Sequence, residues 1–174
     1  MKKNKFIELK TECLLLRRLK QSDWKAISFL RSDKTVNQFV ERSSAESEEE
    51  ANKFISKINT GIDKKESFYW AITENGSDQM IGSICLWNFS EDRKIAEVGF
   101  DLNPKFQKKG IMNEALKCLI QFGFETLNLD LLEAYTHIDN QNSRKLLERN
   151  NFELIITKKD EHNQNNVFYE LKND

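Results

Sequence analysis

Apolar positions along this chain recur with two different periods, and the changes from one to the other mark out its elements. The leucine-rich run TECLLLRRL, Thr11 to Leu19, predicts a short first strand behind a basic tail, residues 1–10, that is expected to fray. Ser22 or Asp23 then caps a helix whose Trp24, Ile27 and Leu30 fall on one stripe. A clearer start follows at Ser47 and Glu50, a Ser-x-x-Glu capping box in which each side chain satisfies a backbone N–H. Ala51, Phe54, Ile55 and Ile58 continue from it on a single apolar face.

The period then shortens to that of strands. SFYWAIT and QMIGSICLW are separated by ENGSD, whose Asn75-Gly76 pair predicts a tight hairpin turn and antiparallel neighbours. After NFSEDR, the apolar Ala96, Val98, Phe100 and Leu102 alternate with Glu97, Gly99 and Asp101, giving a strand with one greasy and one polar face. Asn103-Pro104 ends it, and from Asn113 the residues Leu116, Leu119, Ile120 and Leu127 predict a helix of three or four turns. LLEAYTHI is the next strand and NQNSRKLLERN the next helix, an order that implies a βαβ crossover with its two strands parallel. FELIITKK and VFYEL close the chain as a hairpin across DEHNQNN. The expected fold class is α+β, a mixed sheet in one domain over residues 1–174, with no internal repeat or linker.

Composition narrows the function classes. The 27 basic and 28 acidic side chains nearly cancel to a net charge of −1, so no global field favours nucleic acid or an anionic membrane. Cys13, Cys85 and Cys118 are odd in number and sit in apolar segments, the pattern of reduced thiols acting as small hydrophobes. No run is long enough for a signal peptide or a bilayer span, so the cytoplasm is the expected address.

The chemistry concentrates in FQKKGIMN, the loop between the polar-faced strand and its helix. Ligands of parallel strands gather beyond the strands' C-terminal ends, where a helix N-terminus offers free N–H groups. Gly110 admits backbone angles that form a concave anion nest, and Lys108 and Lys109 add positive charge. The spacing is neither that of a nucleoside-triphosphate P-loop nor the three-glycine dinucleotide fingerprint.

Gln107-Lys108-Lys109-Gly110-Ile111-Met112 resembles the Gln/Arg-x-x-Gly-x-Gly/Ala signature of the GNAT superfamily of N-acetyltransferases. The resemblance extends from LLLRRLKQSDW through IGSICLW and AEVGFDLNPKFQKKGIMNEAL to DNQNSRKLLERNNF, covering Leu14 to Phe152. The branch it is most similar to is the Rim-type ribosomal-protein N-terminal acetyltransferases and their relatives. This resemblance implies a three-layer fold, a twisted and mostly antiparallel sheet with helices on both faces. At its centre the parallel strands Ala96–Leu102 and Leu132–Ile138 would splay. It implies acetyl-CoA as co-substrate, no metal, and an amine acceptor that is a protein N-terminus or a small molecule. Neither nucleic acid nor membrane is an implied partner, and the chain would be a monomer or a homodimer.

By the same resemblance, the amides from Gln107 through Lys108, Lys109, Gly110, Ile111 and Met112 to Asn113 would bind the pyrophosphate of coenzyme A. The pantetheine arm would lie between the splayed strands beside Phe100, Asp101 and Leu102. Asn140 would contact that arm and Ser143 would lie near the sulfur. Met112 stands where the family prefers Gly or Ala, which crowds the nest, and Asn151 stands where it has Gly before Phe152.

Acetyl transfer needs a neutral amine, a stabilised oxyanion and a proton for the thiolate. Glu97 is the candidate base, and it reads equally as a solvated or cross-strand salt-bridged glutamate; Asp101 is a lesser candidate. A backbone N–H around Phe100 to Leu102 would meet the oxyanion. Ser143 is the candidate acid, though a serine opening a helix is also an ordinary cap. Leu147 occupies the place of a tyrosine acid found in many relatives, and Tyr135 lies on the neighbouring strand. His137 is a further candidate base or a structural histidine, and Cys118 lies on a packed helix, which favours direct transfer over an acetyl-cysteine route. The acidic run ESEEE either attracts a cationic acceptor or simply favours a helix N-terminus. Two other readings stay open: a coenzyme A-binding module without catalysis, and a nest for another anion such as a nucleotide.

Overall fold

A computed structural model describes residues 6–173. Its strands are β1 Leu9–Lys10, β2 Leu14–Arg17, β3 Phe68–Glu74, β4 Gly82–Trp87, β5 Ile95–Leu102, β6 Leu131–His137, β7 Glu153–Leu154 and β8 Asn166–Lys172. Among the described residues they form one sheet in the order β1-β2-β3-β4-β5-β6-β8-β7. Among the described strands only β5 and β6 pair in parallel. The helices are α1 Trp24–Ser32, α2 Glu48–Asp63, α3 Ile111–Gln121 and α4 Gln141–Arg149. None of the described helices is long and apolar enough to cross a membrane.

The sheet is covered on both faces, as alternation along its strands requires. On one face Leu16, Trp70, Ile72, Leu86 and Val98 pack with Ala115, Leu116 and Leu119 of α3 and with Leu147 of α4. On the other, Ala71 and Met80 pack with Ile27 and Leu30 of α1 and with Ala51 and Ile55 of α2. Every α2 position in that list belongs to the stripe read from the sequence, and the capping box is present in full, with Glu50 N donating to Ser47 Oγ and Ser47 N to the Glu50 carboxylate.

Several local expectations are corrected. Residues 9–10, expected within the frayed tail, pair with Leu15 and Leu16, and Trp70 Nε1 donates to Ile7 O at 2.8 Å, so burial of the indole anchors this stretch. Residues 1–5 of that tail lie outside the described residues. The strand expected from Thr11 begins at Leu14, because Leu14 N donates to Thr11 Oγ1 and Thr11 N to Leu14 O in a turn. Cys13 is therefore exposed rather than a buried hydrophobe. Asp23 precedes α1 without capping it; its carboxylate instead accepts from Lys20 N and from both terminal nitrogens of Arg17. The helix expected from Asn113 starts two residues earlier, at Ile111, and ends in a wide turn over Phe122–Thr126 in which Leu127 N donates to Phe122 O.

What positions the site is how β5 and β6 part. Their pairing is confined to Ile95↔Leu131, Ala96↔Leu132 and Glu97↔Glu133. Beyond it, β5 stays paired with β4 as far as Leu102↔Gly82, and β6 stays paired with β8 as far as His137↔Asn166. Each strand follows its other neighbour, and the twist of the sheet carries the two apart.

Candidate active site

A cleft of about 1810 Å³ opens where these strands part, and residues from both faces of the sheet line it. Alternation puts Ala96 and Val98 into the core and leaves Glu97, Gly99 and Asp101 on the face covered by α1 and α2. Asn103 N donates to Ile81 O, which fixes the odd-numbered amides of β5 toward β4. The amides of Phe100 and Leu102 consequently face the gap left by β6. Gln107 Nε2 reaches the Leu102 carbonyl from that side at 3.2 Å.

Glu97 is partly buried at the point of divergence. Its Oε2 accepts from Asn88 Nδ2 at 3.2 Å, and it makes no ion pair among the described residues. The adjacent Glu133 takes the available cation, Lys158, at 2.7 Å. Burial pushes the Glu97 carboxyl up to about 7; the Asn88 hydrogen bond opposes this, while the charges of Glu133 and Asp160 add to it. The salt-bridged alternative is not what the structure contains.

Asp101 is differently placed. Arg42 pairs with it at 3.0 Å and Ser83 Oγ donates to it at 2.6 Å. Its two oxygens are thus both engaged, and Arg42, which belongs to the loop between α1 and α2, was not foreseen from sequence. His137 stacks on Phe39 with ring centroids 5.2 Å apart, and its Nδ1 accepts from Asp139 N at 3.1 Å. Those contacts fit the structural alternative for this histidine. Tyr135 lines the cleft with its ring 4.7 Å from that of Phe168.

The loop has more unusual backbone than its single glycine suggests. Gly110 has φ +79°, and Lys108 is also left-handed at φ +62°. These flank Lys109, giving the alternation that turns successive amides toward a common point. The amides of Ile111, Met112 and Asn113 have no acceptor within the first turn of α3 and extend the same concavity. Gln107, Lys108, Gly110, Ile111, Met112 and Asn113 all line the cleft. Lys109 does not; its Nζ lies 5.3 Å from the centroid of the Phe106 ring. Met112 packs its side chain against the core. Asn113 uses its Oδ1 to accept from Asn150 Nδ2, which ties α3 to the end of α4.

On α4 the cap is Asn140, whose Oδ1 accepts from Ser143 N at 3.2 Å. Ser143 is thus not the cap; its hydroxyl makes no hydrogen bond to any described residue and lines the cleft. Leu147 is fully buried in the core, so that position offers no proton. Cys118 lies away from this cleft, beside Glu114 in a smaller hollow. Cys85 does line the large cleft, but burial pushes its thiol up to about 12, which keeps it protonated. Arg31, Phe54, Tyr69, Trp87 and Asn88 complete the wall on the α1–α2 side, and none of them was read from sequence as a site residue.

A family profile described as "Acetyltransferase (GNAT) domain" matches residues 14–153. The acetyltransferase PseH of Campylobacter jejuni, serotype O:23/36, is 30% identical over 132 residues, which is 75% of this chain and 76% of that one. The ribosomal-protein-S5-alanine acetyltransferase of Vibrio fischeri superposes with TM-score 0.80 at 21% identity, over 97% of both chains. The RimL ribosomal L7/L12 alpha-N-protein acetyltransferase, in complex with coenzyme A, superposes with TM-score 0.80 at 20% identity, over 95% of this chain and 98% of that one.

Proposed function

Because the chain belongs to the GNAT acetyltransferase family, we propose that it moves an acetyl group from acetyl-CoA to a primary amine by direct transfer in a ternary complex. The observation that carries this reading is Glu97, a partly buried carboxylate without a cation, pushed up to about 7 at the mouth of the strand gap. A base poised there takes the proton of an acceptor ammonium, directly or through water, near neutral pH.

The freed amine attacks the thioester carbon from the α1–α2 side. The amides of Phe100 and Leu102 meet the oxyanion with dipoles that are already oriented. Collapse of the tetrahedral intermediate breaks the carbon–sulfur bond, and the thiolate leaves with the proton that the attacking nitrogen sheds on becoming an amide, relayed through the Ser143 hydroxyl, which ends as it began. The loop amides from Gln107 to Asn113, with the charge of Lys108, hold the pyrophosphate, and Asn140 lies beside the pantetheine arm. A protein N-terminus is one acceptor class, supported by the ribosomal-protein acetyltransferases among the structural neighbours; a small amine is the other.

The test is release of free thiol from acetyl-CoA by the purified protein against a panel of peptides and small amines. Turnover on at least one is expected; binding of acetyl-CoA with turnover on none would leave a coenzyme A sensor or assembly module as the reading. The nest has its own test in Gly110→Ala. A Cβ at Gly110 meets no atom within 4 Å, so its cost is purely the left-handed backbone. The free loop of the variant relaxes out of that conformation, and restoring it on binding, at about 1–2 kcal/mol, predicts coenzyme A affinity about tenfold weaker by calorimetry, with turnover at saturating donor preserved.

A further inference from the structure

On the α1–α2 side of the cleft, one of two neighbouring arginines has no carboxylate partner among the described residues. Arg42 is matched by Asp101 at 3.0 Å. Arg31, at the end of α1, stands next to it and makes no ion pair among the described residues. Its Nη2 donates to Ser43 O at 2.8 Å, and its guanidinium lies 4.2 Å from the centroid of the Phe54 ring. Arg42 in turn donates to Leu30 O at 2.7 Å, so the two arginines strap the α1–α2 loop from either side. Glu41 of the same loop lines the cleft but pairs with neither. Burial lowers the Arg31 pKa and the charge of Arg42 lowers it further, while Tyr69 and Asp101 only partly compensate. A guanidinium in that environment is stabilised by an anion from outside.

The sheet supplies a ruler for where that anion sits. Phe54 packs edge-on to Tyr69, with centroids 6.2 Å apart. Tyr69 is opposite Cys85, Cys85 is opposite Gly99, and Gly99 is the next residue after Glu97 on the same face of β5. Two strand spacings, about 10 Å, therefore separate the Tyr69 end of this row from the reacting end. We infer that Arg31 is an anchor for a carboxylate or phosphate carried by the acceptor, on the order of 10 Å from the amine to be acetylated. A free α-amino acid is too short to use both ends. The inference rests on the acetyltransferase reading for its amine, but the anion site itself is a matter of binding.

The experiment uses the coenzyme A-loaded protein and 6-aminohexyl phosphate, whose extended form suits that span, with 6-aminohexan-1-ol as its neutral match. Calorimetry is expected to give binding of the phosphate at least tenfold tighter than the alcohol in the native protein, a ratio near one in Arg31→Met, and a partly restored ratio in Arg31→Lys. Coenzyme A affinity should be the same in all three proteins, which a loss of fold would not permit. Equal binding within both pairs by the native protein, the phosphate and its alcohol and 6-aminohexanoate and its amide, or an undiminished ratio in Arg31→Met, overturns the anchor. The pair 6-aminohexanoate and its amide separates the sources: preference for the charged member in this pair alone assigns a carboxylate, and in the phosphate pair alone a phosphate. Arg31-dependent binding without acetyl transfer upholds the anchor and defeats the catalytic reading. Transfer indifferent to Arg31 does the reverse.

Discussion

Glu97→Gln lowers kcat by roughly a hundredfold or more at pH 8, with acetyl-CoA affinity unchanged; this is the size expected when a positioned general base is lost. Glutamine keeps the shape and the hydrogen bond from Asn88 but accepts no proton. The pH profile distinguishes this from a steric effect. In the native protein kcat/KM rises with pH to a plateau above about 7, where the Glu97 carboxylate is ionised, and the variant lacks that limb. Stability moves the opposite way. A carboxyl raised from 4.5 to about 7 on folding disfavours its charged form in the native state, so its contribution is most favourable below pH 4.5 and declines as pH rises to 7. Thermal unfolding of the variant at pH 8 should therefore match or exceed that of the native protein. Full turnover at every pH would remove Glu97 from the role.

Asp23→Ala is expected to cost about 3–5 kcal/mol, because it leaves a buried guanidinium without its carboxylate. The side chains of Arg17 and Asp23 are 4% and 5% exposed and meet through two hydrogen bonds of 2.8 Å. Asp78 compensates only in part: its carboxylate lies 3.1 Å from Arg17 Nε but is largely exposed, where solvent screens the pair. The Asp23 carboxylate also holds Lys20 N, so the entry to α1 loosens with it. For a domain of this size the melting temperature should fall by on the order of 10 °C. Arg17→Met with Asp23→Leu should recover most of the loss, since removing both charges avoids the orphan. A melting temperature unchanged in the single variant would contradict this account.

What the sequence disclosed was local and periodic. The crossover from β5 through α3 to β6 was legible because the hydrophobic period changes from two to 3.6 and back. Ser47 and Glu50 were legible because a capping box needs only three residues of separation. The start of α3 was misplaced because its cap is the backbone of Gly110 rather than a side chain. Asp101 looked like a free strand carboxylate, and only the tertiary fold brings Arg42 to it across 59 positions. Asn140 and Ser143 were both visible as helix-starting residues, but which of them caps depends on the non-helical ψ of 74° at Asn140, which composition does not encode. Arg31 was invisible for the same reason as Arg42: its meaning lies in what the sheet places opposite it.

The order of the strands in the sheet also carries a schedule. β8 follows every other strand in the chain yet lies between β6 and β7, and it pairs with β6 along all seven of its residues. The ribosome therefore delivers β6 well before the neighbour that draws it away from β5. Until β8 is threaded into place, β6 lacks the pairing that draws it away from β5, and a nascent chain can carry the complete loop from Gln107 to Asn113 while still lacking the gap beneath it. On the acetyltransferase reading the donor pocket is finished by the last strand of this sheet in chain order, so competence to bind coenzyme A would report on completion of the sheet.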